Sequence, residues 1–171
     1  MLGSQPTLAL VGGLDECAWL LSTILRANRA LNHVKHTWVA FIDGESAFCR
    51  PPRSIILRAL RRIPMGDNEW LGIGSLLGSL RGTLKLGHIL FGSWLEESCL
   101  PQGGLPSMDL FCATIIELEE ELRSCGCGIV LVDSHGQPHR IALLAFVDDL
   151  VLFANSAAEL QRALDIVAKW A

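Results

Sequence analysis

Aromatic and charged residues are scarce in this sequence of 171 residues. It contains no tyrosine, its aromatic content is 6%, and charged residues make up 19%. The formal net charge is −4, so there is no global basic field to attract a polyanion. These scarcities argue against a small nucleic-acid-binding module that combines a basic surface with stacking aromatic side chains, although that class of protein stays as one alternative.

Long uncharged runs and secretory features are also absent from the sequence. No uncharged run reaches the ~18 residues that a membrane-spanning helix needs, and the N-terminus lacks the three regions of a signal peptide. The six cysteines show no disulfide framework, so we expect reduced thiols in an intracellular protein with no membrane partner. Half of the residues are apolar, which predicts one domain, or part of one, with a sizeable core.

Two adjacent carboxylates, Asp148 and Asp149, lie between two apolar runs. Residues 145–154 read Ala-Phe-Val-Asp-Asp-Leu-Val-Leu-Phe-Ala, a pattern typical of two buried strands joined by a tight turn. Negative charge beside so many apolar side chains is costly unless something compensates it, and a divalent cation with oxygen ligands is the usual compensation. A solvated acidic turn is the other interpretation of the pair.

A third carboxylate, Asp43, ends another strand that we predict over residues 37–42. If the three strands are neighbours in one antiparallel sheet, the carboxylates converge at one edge. Two metal ions held by such carboxylates activate a hydroxyl group and stabilise a leaving pyrophosphate. We therefore expect Asp43 and Asp148 to bind both ions, the carbonyl of Gly44 to add a ligand, and Asp149 to support the site.

The remaining pattern predicts an α+β fold, with helices packed on one face of an antiparallel sheet. A short strand is predicted at residues 8–11, and Ser156 and Glu159 predict a capping box at the start of the last helix. The other predicted elements are helices at 14–31, 53–63, 69–80, 108–123 and 157–170, strands at 129–132, 140–147 and 150–153, and a hairpin at 83–95.

An arginine group follows the Asp43 strand. Contact with nucleic-acid phosphates and a solvated helix face are equally good interpretations of this group. Its members are Arg50, Arg53, Arg58, Arg61 and Arg62.

Four potential metal ligands near residue 130 allow two interpretations. Cys125, Cys127, His135 and His139 have spacings close to those of zinc sites. The same segment also fits a plain hairpin with its turn at residues 133–138.

Three motifs give the sequence a specific resemblance. Residues 39–48 read Val-Ala-Phe-Ile-Asp-Gly-Glu-Ser-Ala-Phe, residues 100–103 read Leu-Pro-Gln-Gly, and residues 146–149 read Phe-Val-Asp-Asp. In this order they resemble the catalytic motifs of reverse transcriptases, especially those of non-LTR retrotransposons and group II introns. The resemblance covers about residues 7–171 and implies partial fingers at 1–36, a palm at 37–171 and no thumb.

The resemblance implies a role for each matching residue. Asp43 and Asp148 would bind two Mg²⁺ ions, with Mn²⁺ as a substitute, and Asp149 would be the third carboxylate. The nucleotide-binding residues would be Gly44, Ala47, Phe48, Gln102, Gly103 and Phe146, with Phe48 under the sugar and the Ala47 N–H at the triphosphate. The implied partners are an RNA template, a DNA primer and dNTPs. We also expect missing fingers and thumb segments from a longer polyprotein, and a nuclear location if the element is eukaryotic.

The sequence departs from the family pattern at several positions. Phe146 stands where a Tyr is usual, Cys49 stands where an Asp is common, and residues 11–14 lack an expected Arg. These departures leave a catalytically inactive palm remnant of a decayed retrotransposon as a second alternative to an RNA-directed DNA polymerase.

Overall fold

The computed structural model describes residues 14–33, 36–44, 50–61, 65–95, 100 and 107–171. Five helices and seven strands lie in this part of the chain. The strand predicted at residues 8–11 lies outside it. None of the helices in these ranges is long and apolar enough to cross a membrane.

The five helices lie close to their predicted positions. The first has Asp15 and Glu16 in its first turn and Arg29 in its last turn, a charge arrangement that suits the helix dipole. The last is capped by the hydroxyl of Ser156, which accepts a hydrogen bond from the Glu159 N–H at 3.2 Å. The helices are α1 (Leu14–Asn32), α2 (Arg53–Leu60), α3 (Asp67–Gly78), α4 (Ser107–Ser124) and α5 (Ala157–Trp170).

The seven strands form three antiparallel sheets, which confirms the α+β class. The largest sheet has three strands in the order β1-β7-β6, so β7 is central, as the prediction of neighbouring strands requires. The pairs β2–β3 and β4–β5 are two-stranded sheets. The strands are β1 (Trp38–Asp43), β2 (Arg81–Leu86), β3 (Ile89–Leu95), β4 (Ile129–Val132), β5 (Pro138–Ile141), β6 (Leu143–Phe146) and β7 (Asp149–Ala154).

The single strand predicted over residues 140–147 is wrong, because the structure divides it into β5 and β6. These two strands belong to different sheets, and the chain passes between them at the buried residue Ala142. The carbonyl of Ala142 accepts a hydrogen bond from the Phe153 N–H at 2.9 Å. Residues 141–147 are all apolar, so the sequence gives no turn signal where the chain changes its pairing partner.

The core of the three-stranded sheet lies between its strands and α1. Ile24 of α1, Ile129, Leu144 and Phe153 form one buried cluster. Helix α5 packs against β7 and β1, and four of the six β7 residues are buried. Because Leu152 and Phe153 are adjacent and both buried, side chains on both faces of β7 are covered.

The chain divides into two compact units. One contains residues 1–45 and 115–171 and therefore includes the three-stranded sheet. The other contains residues 46–114, in which α2 packs against α3 and the β2–β3 hairpin follows. The predicted division into fingers at 1–36 and palm at 37–171 stays a prediction.

Candidate active site

The three candidate carboxylates lie at one end of the three-stranded sheet. Asp43, the last residue of β1, pairs directly with Asp149, the first residue of β7. Directly opposed residues of antiparallel strands have side chains on the same face, with Cβ atoms ~5 Å apart. Asp148 lies in the turn just before β7. The sheet topology therefore brings together residues that are more than one hundred positions apart in the sequence.

A tight turn presents Asp148. Phe146 pairs with Asp149, so the turn between β6 and β7 contains only Val147 and Asp148. Asp148 is half-buried, whereas Asp43 and Asp149 are exposed. Two buried apolar strands thus lead into a solvent-accessible acidic end, which is the arrangement that the sequence of residues 145–154 predicts.

An open cavity of about 340 Å³ borders two of the carboxylates. Phe41 contributes to its apolar wall and is 73% exposed, which is unusual for a large aromatic side chain on a strand. Phe41 lies two residues before Asp43 on the same face of β1, so strand alternation alone would have identified it. The cavity is lined by Phe41, Ile42, Asp43, Asp149, Leu150 and Val151.

The N-terminal turn of α1 contributes a group that the sequence did not suggest. Burial raises the pKa of the Cys17 thiol, and the negative charges of Glu16 and Asp149 raise it further. Cys17 therefore lies within electrostatic reach of Asp149. No local pattern marks Cys17, because only the packing of α1 on the sheet creates this proximity.

The carboxylates fit the ligand chemistry of magnesium. Mg²⁺ prefers oxygen ligands and is usually held by one or two carboxylates together with waters and substrate phosphates. Asp43 and Asp149 supply two such groups, with Asp148 adjacent in the chain. In the described ranges, no group of three or more His, Cys, Asp or Glu side chains is arranged to hold a metal ion. Asp43 and Asp149 would hold Mg²⁺ only together with waters or substrate phosphates.

Several predicted site residues lie outside the described part of the chain. They are Ala47, Phe48, Gln102 and Gly103 of the motifs and Arg62 of the arginine group. Gly44 is described and directly follows β1, so its carbonyl belongs to the same end of the sheet as Asp43. Phe146 is half-buried at the end of β6, opposite Asp149. Their predicted contacts with the nucleotide stay predictions.

The arginine group surrounds α2 in the unit of residues 46–114. The Arg61 guanidinium lies over the Trp70 ring, 5.4 Å from its centroid, so α3 provides a cation–π partner for this side chain. Within the described residues, one guanidinium nitrogen of Arg53 is buried without a hydrogen-bond partner. Arg61 thus has a structural role, and phosphate contact by the group stays a prediction.

The structure favours the plain hairpin over a zinc site near residue 130. His139 Nε2 lies 2.9 Å from a carboxylate oxygen of Asp133, while Cys127 is buried and Cys125 is exposed. Strands β4 and β5 pair across the turn, and no metal-binding group forms among the described residues that include all four candidates.

Together these elements define an α+β protein in which helices pack against an antiparallel sheet and acidic residues lie at one end of that sheet. A model of the family described as reverse transcriptase (RNA-dependent DNA polymerase) matches residues 8–171. The chain therefore belongs to the reverse transcriptase family, as the three motifs indicate. No curated protein sequence matches the chain.

A solved structure supports the fold. The chain is similar to apo telomerase from Candida tropicalis truncated from the C-terminal domain, with a TM-score of 0.64 at 12% identity. The match covers 94% of this chain and 32% of the telomerase chain. At this identity the likeness shows a shared fold, and this chain spans about a third of that protein.

Proposed function

We propose that this chain is the palm, with partial fingers, of an RNA-directed DNA polymerase from a retroelement, and that it catalyses nucleotidyl transfer. Membership of the reverse transcriptase family supports the reaction class. The observation that carries the site assignment is the direct pairing of Asp43 with Asp149, one residue after Asp148. The proposed partners are an RNA template, a DNA primer and dNTPs.

Asp43 and Asp148 are the proposed ligands of two Mg²⁺ ions, or Mn²⁺ in their place, with the Gly44 carbonyl as an additional ligand. When bound, such ions activate the primer hydroxyl and stabilise the leaving pyrophosphate. Asp149, opposite Asp43, adds negative charge that favours cation binding at the same end of the sheet. The residues proposed to surround the nucleotide are Ala47, Phe48, Gln102, Gly103 and Phe146. The proposed location is intracellular, and nuclear for a eukaryotic element.

Primer extension on an RNA template with Mg²⁺ or Mn²⁺ tests this function. We expect extension by the wild-type chain and a loss of at least ~100-fold in Asp43→Ala and Asp148→Ala, because each removes negative charge that binds the ions. Asp165→Ala is the matched control, since Asp165 is exposed on α5 and accepts a hydrogen bond from Gln161. Its activity should equal that of the wild type.

Binding of Mn²⁺ provides a second measurement of the same site. We expect binding to disappear in both Asp43→Ala and Asp148→Ala, and unchanged binding in both variants would refute the site assignment. No extension by any variant, wild type included, would favour the inactive palm remnant over the polymerase.

A further inference from the structure

A β-bulge in the β2–β3 hairpin changes the direction of one tryptophan side chain. Leu84 pairs with Phe91, whereas Gly82, two positions earlier in β2, pairs with Trp94, three positions later in β3. The extra residue of β3 lies next to Gly92, whose φ of +50° is the left-handed conformation that begins a glycine bulge. Strand alternation alone would place Phe91 and Trp94 on opposite faces, since they are three positions apart. The bulge therefore brings Trp94 onto the face of Phe91.

The bulge produces a continuous apolar face on the hairpin. Residues that pair across antiparallel strands lie on the same face, which places five apolar side chains together. We call this surface the aromatic face, and its members are Leu84, Leu86, Ile89, Phe91 and Trp94. Each of them has between 46% and 70% of its surface exposed. The opposite face carries both cations of the hairpin strands, Arg81 and Lys85, which pair with Leu95 and Leu90.

The charge distribution of the hairpin indicates which partner fits the aromatic face. None of the five side chains of this face is charged. A single-stranded nucleic acid could stack its bases on aromatic rings, but its phosphates also need cations, and Arg81 and Lys85 lie on the other face. A charged protein surface would lose the solvation of its charges without meeting an opposite charge. A second aromatic face has neither requirement, because apolar side chains meet apolar side chains across a two-fold axis.

The area of the aromatic face is sufficient for a pair of chains. At these exposures, a large aliphatic or aromatic side chain offers roughly 100 Å² of accessible surface. Five such side chains on each of two copies would bury on the order of 1,000 Å², which is the lower limit for a specific interface. Packing of two hairpins face to face also supplies the second layer that a two-stranded sheet lacks. Because this interface is small, we expect a dissociation constant in the micromolar range.

We propose that the aromatic face is a self-association surface through which two copies of this chain form a two-fold dimer, with Phe91 and Trp94 as the main contacts. The bulge at Gly92 creates this surface, because it moves Trp94 away from the side of the two cations. The aromatic face belongs to the unit of residues 46–114, whereas the candidate carboxylates belong to the other unit. The inference therefore does not rest on the proposed polymerase activity.

Sedimentation velocity of the full chain, from micromolar to millimolar concentration, tests this dimer. We expect the wild type to change from 18.6 kDa to twice that mass, with no larger species. Phe91→Thr/Trp94→Thr should weaken dimerisation at least ~100-fold, because aromatic side chains at the centre of an interface carry much of the binding energy. Threonine retains a high strand propensity, so the hairpin should still form, and far-UV circular dichroism verifies the fold.

Two further variants separate the aromatic face from general hydrophobicity. Leu90→Thr/Leu95→Thr is the matched control, since it removes two exposed apolar side chains from the opposite face of the same strand, and it should dimerise like the wild type. Deletion of Gly92 keeps every apolar side chain but restores regular alternation, so Trp94 turns to the opposite face. We expect this deletion to weaken dimerisation about tenfold or more. If the deletion variant does not fold, the two double variants decide the question.

Each of four results would overturn the proposal. A wild type that stays monomeric at millimolar concentration forms no such dimer. Equal weakening by the two double variants would show that association does not depend on the aromatic face. Large species that appear without a dimer would show non-specific aggregation. Binding of single-stranded RNA that dissociates the dimer and requires Phe91 and Trp94 would identify the face as a stacking platform for bases instead.

Discussion

Gly128 shows how one residue joins two sheets of this fold. Its φ is +104°, and a Cβ at this position would lie 2.5 Å from the carbonyl oxygen of Ile141. Its N–H donates to the Glu159 carboxylate at 2.7 Å, and the same carboxylate accepts from the Asn155 N–H at 3.2 Å. The residue therefore needs a left-handed conformation and close backbone approach, and only glycine provides both.

We predict that Gly128→Ala lowers the free energy of unfolding by about 3 kcal/mol or more. Backbone strain at positive φ costs ~1–3 kcal/mol, and overpacking against rigid backbone adds a similar amount. Gly136→Ala is the control, because Gly136 also has positive φ but a Cβ there would meet no atom within 4 Å, so it should lose only about 1 kcal/mol. Urea unfolding of both variants measures the difference, and equal losses would contradict the steric account.

For single residues, the sequence predicted the three carboxylates of the candidate site. It did not predict which distant residues a side chain contacts. Asp43, Asp148 and Asp149 stand out because charge at a strand end is costly without compensation. The hydroxyl of Ser156 caps α5 as predicted, yet the carboxylate of Glu159 bonds Gly128, which lies 31 positions away. Only the tertiary structure determines such a partner, and the same holds for the effect of the Asp149 charge on the pKa of Cys17.

Helices and hairpins with a strong local pattern were predictable from the sequence. Strand boundaries that depend on which strands pair with each other were not. Helix α1 and the β2–β3 hairpin match their predicted ranges within two residues, because an amphipathic stripe and a Gly-His turn are local signals. The boundary between β5 and β6 at Ala142 has no turn residue to mark it, since Ile141, Ala142 and Leu143 are all apolar. The polar and exposed start of β5 against the buried β6 is the one local difference between the two strands. The turn at Val147 and Asp148 was predicted, but the positive φ of Val147 (+56°) was not.

The turn between β4 and β5 gives a prediction about pH. The hydrogen bond from His139 lowers the pKa of Asp133, and the N–H groups of Gln137 and His135 lower it as well. Because the folded-state pKa is depressed, the carboxylate stabilises the fold fully above the unfolded value of about 3.9. This contribution is lost as the pH falls through the lower folded pKa.

We therefore expect His139→Ala to raise the pKa of Asp133 toward its ordinary value, as measured by NMR titration of the carboxyl carbon. His135→Ala is the control, since His135 contributes its main-chain N–H, which the substitution keeps. An equal shift in both variants would mean that the turn, rather than the His139 ring, sets this pKa.

For the whole molecule, apolar patterning and acidic strand ends were enough to predict the class of fold and the convergence of three carboxylates at one end of a sheet. An α+β chain with three carboxylates at one sheet end follows from residues 37–43 and 145–154, and the family match agrees with it. The division into units of residues 1–45 with 115–171 and 46–114 was not predicted. Such a division depends on the density of contacts between distant segments, and no single stretch of sequence encodes it.

The unit of residues 46–114 exposes an apolar face on its hairpin. The pairs Leu84–Phe91 and Leu86–Ile89 lie on one face of β2–β3, and Leu86 and Ile89 are 70% and 61% exposed. A contiguous exposed apolar patch promotes association, and a two-stranded sheet alone gains little stability in water. The chain as it stands should therefore associate through this face as its concentration rises.

We predict that the double variant Leu86→Thr/Ile89→Thr reduces the binding of a hydrophobic dye and shifts the chain toward monomer in light scattering. Threonine retains a high strand propensity, so the free energy of unfolding should change by less than ~1 kcal/mol. Leu71→Gln is the control, because Leu71 is exposed on α3 and does not belong to the hairpin face. If association persists in the hairpin variant but falls in Leu71→Gln, the surface through which the chains associate lies on α3 instead. Association through either face would also alter Tm, metal affinity and primer extension, so those quantities describe the monomer only at concentrations below the onset of association.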